Sequence, residues 1–451
     1  VTRAARAGPA GLALLLAALA ACLDPIPAGI LTPGTGSVSG VVRRRCGGQP
    51  PIAGAEITVD GVVRARTDAA GGYRIDDLSA ATAHTVTAEA PGFVYGDTET
   101  IIHVNAGEVV VQNFALEMPK DEGQAVLLDV LFVIDDGPGM AAAQEALIAA
   151  FPAFAATLEQ GSINLHLGIA TADVGAGDAV IPTCTPGGDD GRLQIRENGA
   201  TCARAGLESY TDPFLSLIRD AGGVAQSANF AGTLSDAFAC YAPVGTSGCR
   251  FAKPLASMRR VLDPTRSDNG AFLREDAALL VILLTKADDC STPAGTDLFD
   301  PFQTTVDSPL GPLTRYRCFE FGTLCDGKPP GRTAGARTGC APGVPDPAYP
   351  LASLQTFLDL LAATHGGRAV LGVIAGDPAR VEVALDGNGY PYLLSSCGGT
   401  VGGADPPIRL AALAGAMPQT NRANICRDFS ADLAMWAQQA IDMAVAARSC
   451  E

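Results

Sequence analysis

Two pairs of adjacent carboxylates close apolar runs in this chain. Asp135 and Asp136 end "LLDVLFVIDDGPGM" on a Gly-Pro-Gly turn, and Asp288 and Asp289 end "VILLTKADDC". Oxygen ligands grouped at a turn suit a hard cation such as Mg²⁺ or Ca²⁺. The same residues also describe the polar end of a buried strand. Other candidates for chemistry are weaker. "DGNGYPYLL", from Asp386, opens like a calcium loop but lacks the remaining ligands and a terminal glutamate, so it reads as a Gly-rich hairpin. His84, His103, His166 and His365 are scattered and none falls in a catalytic pattern. "GTSGC" around Ser247 lacks the strand-turn-helix setting of a G-x-S-x-G nucleophile. Trp436 lies at helical spacing with Leu433 and Ala440 and reads as core.

Length, charge and cysteines narrow the classes. A chain of 451 residues suits two or three domains. A net charge of -17, from 31 basic and 48 acidic residues, repels a phosphate backbone, and only Arg43 to Arg45 cluster positive charge. No nucleic-acid partner is expected on this ground.

The opening "VTRAARAGPAGLALLLAALAACLD" runs from arginines through an apolar stretch, Gly11 to Ala21, to small residues and Cys22. That stretch is shorter than the roughly 20 residues a spanning helix needs, and its order is that of a secretory signal. "LAAC", Leu19 to Cys22, resembles the bacterial lipobox. The resemblance implies that residues 1-21 are removed and that Cys22 is acylated, anchoring the chain to a bacterial membrane. Leu23 after the cysteine favours the outer membrane, on its periplasmic or its surface side; an ordinary signal peptide is the alternative. No later segment reads as long and apolar enough to cross.

Beyond Cys22 stand Cys46, Cys184, Cys202, Cys240, Cys249, Cys290, Cys318, Cys325, Cys340, Cys397, Cys426 and Cys450. Behind a signal peptide this reads as disulfides in an oxidising compartment. Zinc is disfavoured, because no C-x-x-C and no H-E-x-x-H occurs. Cys240 with Cys249 and Cys184 with Cys202 would close short loops and are the first pairings expected. Cys46 either crosses to the larger domain or remains an odd thiol.

The elements that must position the carboxylates follow from texture. Residues 22-36 are rich in Pro, Gly and Thr and read as a lipid-anchored tether. Residues 37-118 carry short Val-, Ile- and Thr-rich runs separated by turns, the pattern of a small antiparallel β-sandwich. "PIAGAEITVDG", "TDAAGGYRIDDL" and "TVTAEAPGF" resemble the carboxypeptidase regulatory-like domain, a transthyretin-like sandwich. Within it Asp68 and Gly71 make a hairpin turn and are given no chemistry.

Residues 119-125, "PKDEGQA", form a charged linker. From 126 to 451 apolar strands alternate with amphipathic helices: "LLDVLFVID", "MAAAQEALIAAFPAFAATL", "INLHLGIATAD", "ALLVILLTKADD", "LASLQTFLDLLAATHGG", "AVLGVIAGDP" and "ADLAMWAQQAIDMAVAA". The pattern predicts an α/β doubly wound parallel sheet of Rossmann type, interrupted by Gly-, Pro- and Cys-rich insertions near 174 to 228 and 290 to 350. The chain is thus expected to be multi-domain.

In such a sheet ligands sit beyond the carboxyl ends of the strands, where Asp135 and Asp136 fall. "DVLFVIDDGPGM" with "VILLTKADDC", "LHLGIATAD", "NFAGTLSDAFAC", "GCRFAKPLASMRRVL" and "ICRDFSADLA" resembles a von Willebrand factor A domain, in the cysteine-rich version of myxobacterial-type lipoproteins. The resemblance implies a metal-ion-dependent adhesion site that binds a carboxylate of a partner through the ion. Asp135 matches its first aspartate. Its two serine positions are Gly137 and Gly139, which offer no side-chain oxygen, and the position after Thr285 is Lys286. Thr233 or Ser235 matches the second loop.

The site therefore reads as degenerate, with no metal or other cofactor expected; Mg²⁺ or Ca²⁺ at a shifted position on Asp288 and Asp289 is the alternative. Lys286 either takes the ion's electrostatic place beside Asp135 or Asp136, or points to solvent. Asp136, Asp288 and Asp289 remain as possible partner contacts. The expected function is a non-enzymatic envelope lipoprotein of adhesion type, binding an unknown protein or envelope partner. The alternatives are a secreted enzyme or peptidase accessory protein, and a purely structural envelope component.

Overall fold

The computed structural model describes residues 34–45, 51–80, 82–91, 93, 95–97, 99–117, 125–194, 202, 213–220 and 223–448. Cys22, most of the tether, Cys46 and Cys450 lie outside the described residues. The chain divides into two compact units, Val1–Pro119 and Lys120–Glu451.

The first unit is a β-sandwich. Its strands are β1 (Thr35–Arg44), β2 (Glu56–Val59), β3 (Val62–Arg66), β4 (Gly72–Ser79), β5 (Ala83–Glu89), β6 (Tyr95–Asp97), β7 (Glu99–His103), β8 (Val109–Val111) and β9 (Phe114–Glu117). One sheet runs β4-β1-β9-β6, with β8 also on β1; the other runs β3-β2-β5-β7. Alternate residues face inward, so Val38, Ile75 and Phe114 of one sheet share a core with Ile57, Val86 and Ile102 of the other. The sandwich is not purely antiparallel. After β7 the chain crosses between sheets, and β8 and β9 then pair with β1 in parallel. Gly40 permits that close return, because a Cβ there would stand 1.7 Å from the Gln112 carbonyl oxygen. The turn before β4 is built by Asp68, whose Oδ1 accepts the Ala70 and Gly72 amides, each at 2.8 Å.

The second unit holds strands β10 (Val126–Ile134), β11 (Ile163–Thr171), β12 (Phe214–Arg219), β13 (Ala225–Ala228), β14 (Ala278–Leu284), β15 (Thr323–Cys325), β16 (Gly335–Arg337), β17 (Cys340–Pro342), β18 (Ala369–Ala375), β19 (Val381–Leu385), β20 (Pro391–Leu393) and β21 (Asn421–Asn424). Its helices are α1 (Ala141–Glu159), α2 (Leu234–Tyr241), α3 (Pro254–Val261), α4 (Tyr316–Gly322), α5 (Leu354–Ala363), α6 (Ile408–Ala416) and α7 (Ser430–Arg448). The main sheet runs β13-β12-β11-β10-β14-β18-β21. It is mixed rather than parallel throughout: β12 and β13 form an antiparallel hairpin at its edge, inside the stretch expected to be an insertion.

Helices cover both faces of this sheet. Val130, Phe132 and Ile134 pack with α1, α2 and α7, whereas Leu131 and Val133 pack with α3, α5 and α6. Continuous apolar strands are what burial on both faces demands. Phe151 stacks on Phe238 at 3.7 Å between ring centroids, with Phe132 at 4.9 Å from Phe238. Trp436 is fully buried against Gly372, where a Cβ would meet its ring at 2.2 Å. Helix α1 is long and apolar enough to cross a membrane by length and composition, contrary to the expectation that no later segment is. It instead buries Leu147, Phe151, Phe154 and Leu158 in the core.

Among the described residues, five disulfides lie in this unit, joining Cys184 to Cys249, Cys202 to Cys240, Cys290 to Cys318, Cys325 to Cys340 and Cys397 to Cys426. They mark an exported protein of an oxidising compartment. Neither short-loop pairing expected from spacing forms. The loop after β11 and the loop before α3 meet at the same sheet edge, where the Lys253 amide donates to the Ala172 carbonyl at 3.0 Å, and that meeting pairs Cys184 with Cys249.

Candidate functional site

The carboxyl ends of β10 and β14 are adjacent, with Ile134 paired to Leu284. The Asp135 amide donates to the Leu284 carbonyl at 2.9 Å, so the strands deliver Asp135 and Thr285 side by side. Asp135 is buried, and both its carboxylate oxygens are engaged by the protein. Oδ1 accepts the Gly137 amide at 2.8 Å and Oδ2 accepts the Thr285 hydroxyl at 2.8 Å. Burial raises its pKa, and these two donors partly offset the rise. A Cβ on Gly137 would stand 2.9 Å from Oδ1, so glycine there keeps the amide bond to Asp135 open. Gln144 ties the turn from behind, donating to the Asp135 carbonyl at 3.1 Å and the Gly245 carbonyl at 2.7 Å.

Lys286 takes neither of the two expected positions. Its Nζ donates to the Val401 carbonyl at 2.9 Å and to the Gly139 carbonyl at 3.2 Å, spanning the edge between two loops. Among the described residues it forms no ion pair with Asp135 or Asp136. Its charge acts on Asp405, whose pKa is raised by burial and held back by Arg315 and Lys286. The Asp405 amide in turn donates to the Lys286 carbonyl at 2.8 Å.

A cavity of about 360 Å³ opens above this turn, lined among others by Asp135, Gly137, Arg250, Lys286, Thr314 and Arg315. Arg250 comes from the loop between α2 and α3, and Arg315 from the Cys-rich insertion near 290 to 350. Arg250 follows Cys249, which is fixed by its disulfide and by its amide bond to Asp173 Oδ2 at 3.1 Å. Arg315 lies 3.5 Å from Asp405. Its loop is held by buried Arg317, which donates to the carbonyls of Leu298, Asp300, Gln303, Gly311 and Pro312, and by the Cys290–Cys318 disulfide.

The remaining candidates serve the fold. Thr233 caps α2, accepting the Asp236 amide at 3.0 Å, and does not line the cavity. Asp288 caps α6 by accepting the Arg409 and Leu410 amides at 2.8 and 3.1 Å, and burial pushes it up to about 6. Asp289 is fully buried and accepts Ser291 Oγ at 2.6 Å and Arg409 Nη2 at 3.3 Å. Asp136 faces away from these, towards Asp173 and Asp189. Among the described residues its Oδ1 is buried without a hydrogen-bond partner, and burial followed by the charges of Asp173, Asp135 and Asp189 pushes the carboxyl pKa up to about 8. Among the described residues, no three His, Cys, Asp or Glu side chains converge as ligands of a metal ion.

Sequence reasoning missed Arg250, Thr314, Arg315 and Asp405. Only the cysteines flanking Arg250 and Arg315 hint that their loops are fixed.

No curated protein matches the chain. Among solved structures it is similar to GBS52, the minor pilin of the Gram-positive pathogen Streptococcus agalactiae, at 18% identity over 19% of this chain and 45% of that chain, with a TM-score of 0.17. It is also similar to the Bacillus anthracis TIE protein, at 15% identity over 22% of this chain and 20% of that chain, with a TM-score of 0.17. The chain thus spans less than half the length of either. Residues 37–117 match the carboxypeptidase regulatory-like domain, and the first unit carries that domain.

Proposed function

We propose that this is a lipid-anchored envelope protein whose second unit is a von Willebrand factor A-like domain, binding a protein or envelope partner at its carboxyl edge without a divalent ion and without catalysis. The anchor rests on the basic, apolar, small, cysteine order that ends at Cys22, outside the described residues. The edge rests on one observation: both oxygens of Asp135 are already taken by Gly137 and Thr285. A hard cation needs about six oxygen ligands. Gly137 and Gly139 supply none from side chains, Asp288 and Asp289 are spent on α6 and Arg409, and three cationic side chains line the cavity. The donor set therefore does not fit such an ion.

Titrating Mg²⁺, Mn²⁺ and Ca²⁺ into the purified chain by calorimetry tests the first part, with no saturable heat expected. Micromolar binding that disappears in Asp135→Ala would overturn it. Crosslinking in the native envelope tests the second: a partner captured by the wild type and lost in Lys286→Glu is expected. A partner captured equally by both would place binding elsewhere.

A further inference from the structure

The first unit holds a histidine that meets two acceptors. His84 lies on β5 and is buried at one end of the sandwich, on the core side with Val86 and Ala88. Its Nδ1 stands 2.7 Å from Oδ2 of Asp60, and its Nε2 stands 2.9 Å from the Ser79 carbonyl oxygen. A neutral imidazole carries one N–H and serves one of these, whereas an imidazolium serves both. The two acceptors belong to different layers. Asp60 forms the turn between β2 and β3, and Ser79 ends β4 in the facing sheet. The Asp60 turn is itself fastened to β5, because Asp60 Oδ1 accepts the Thr85 amide and the Asp60 amide donates to the Thr85 carbonyl, each at 2.9 Å.

Few groups act on the ring. Among the described residues the charged ones are Asp60 and Arg64 of β3, and Arg64 donates to the Asp76 carbonyl at 3.3 Å. β4 and its connection to β5 offer the Ser79 carbonyl and the Thr82 hydroxyl, the latter 3.2 Å from Nε2. On β7 the residue opposite His84 is Ile102, while His103 stands opposite Ala83 on the outer face. Burial pulls the pKa of His84 down. Its hydrogen bonds to Asp60 and Ser79, with the Asp60 charge, more than offset this and raise it above the ordinary 6.5. Both contacts are therefore complete below about pH 6.5, and one is lost as pH rises through the raised value.

We propose that His84 is a pH-operated staple between the two sheets of the first unit: protonated, it joins Ser79 to the Asp60 turn, and deprotonated, it keeps Asp60 and releases Ser79. The released side follows from the chemistry of the acceptors. Nδ1–H stays with the carboxylate, the stronger acceptor, and Nε2 becomes a lone pair facing the Ser79 carbonyl. The Thr82 hydroxyl, which donates to that carbonyl at 3.1 Å, then turns to Nε2, so Ser79 loses both side-chain donors. An exported chain meets the pH of its surroundings, and the staple makes this end of the sandwich respond to it.

The test is nuclear magnetic resonance of the full chain carrying isotope-labelled histidine, whose four histidines give few signals, with His84→Gln identifying the one that matters. Both ring nitrogens of His84 should be protonated at about pH 6, and the signal should titrate above 6.5, with a midpoint that falls toward 6.5 in Asp60→Asn. Hydrogen exchange is read at the Ala80 amide, which donates to the Gly34 carbonyl at 2.8 Å. Corrected for the intrinsic rate, its protection should fall about threefold or more between about pH 6 and pH 9 in the wild type, and less in His84→Gln. The Asp60→Asn comparison stands even if His84→Gln fails to fold, because the Asp60 side chain is half-exposed. A single protonated ring nitrogen at about pH 6, a midpoint unmoved by Asp60→Asn, or an equal loss of protection in His84→Gln would overturn the proposal.

Discussion

Thr285, just beyond β14, donates its hydroxyl to Oδ2 of Asp135, just beyond β10, at 2.8 Å. The same oxygen Oγ1 accepts the Ala287 amide at 3.0 Å, so the threonine closes the turn of its own strand while satisfying the neighbouring one. Replacing it by valine keeps the volume and removes the donor. Thr285→Val should leave a buried carboxylate oxygen unsatisfied and cost about 1–3 kcal/mol in urea unfolding. Unchanged stability would show that Oδ2 finds another donor readily.

Asp136 gives the fold a pH dependence of definite sign. Its folded pKa, about 8, lies above the ordinary 3.8, so its contribution is complete below about pH 4 and is lost as pH rises to about 8. The loss reaches at most about 1.4 kcal/mol per pH unit for one proton. Asp129 and Asp288, each pushed up to about 6 by burial, act in the same direction in any variant that retains them. Asp136→Asn mimics the neutral acid, so between pH 5 and pH 8 the wild type should lose more stability than the variant. Equal losses in urea titrations at the two pH values would mean that Asp136 is ionised in the folded protein.

What was readable in the chain was local. The apolar run before Asp135 and the apolar run before Thr285 fix two strand ends, because burial on both faces leaves a continuous hydrophobic signature. The turn at Asp68 was readable for the same reason: its hydrogen bonds reach only to residues 70 and 72. Arg250 and Arg315 were not readable as a pair. They come from segments whose mutual position is set by disulfides and backbone clamps rather than by periodicity. Lys286 was recognised as incompatible with an ion, but its acceptors are carbonyls of Gly139 and Val401, groups every residue possesses. The parallel return of β8 and β9 to β1 was likewise invisible, since strand texture carries no direction.

The Cys184–Cys249 disulfide closes a loop of sequence separation 65 and fixes the segment that presents Arg250. On the chain-entropy argument a loop of that length contributes about 4 kcal/mol. The double variant Cys184→Ala/Cys249→Ala should lose stability of that order. It should also lower capture of the envelope partner by crosslinking although no cavity side chain is altered. Loss of stability with full binding would show that Asp173, through the Cys249 amide, suffices to place the loop.

Asp289 and Arg409 form an ion pair, 3.3 Å apart, at 0% and 4% side-chain exposure. Arg409 also donates to the Ala352 carbonyl at 2.7 Å, and Asp289 also accepts Ser291 Oγ, so each member is held by more than the other. Truncating one partner leaves the other charge buried and uncompensated, which costs about 3–5 kcal/mol, whereas replacing both by apolar groups of similar volume is often nearly neutral. Asp289→Ala alone should therefore be strongly destabilising, and Asp289→Leu/Arg409→Met should recover most of the loss in a double-mutant cycle read by chemical denaturation. The same pair distinguishes a structural aspartate from a partner contact. If Asp289 served a ligand at the edge, the doubly substituted chain would be stable but unable to bind; if it serves only the fold, that chain should capture the envelope partner like the wild type.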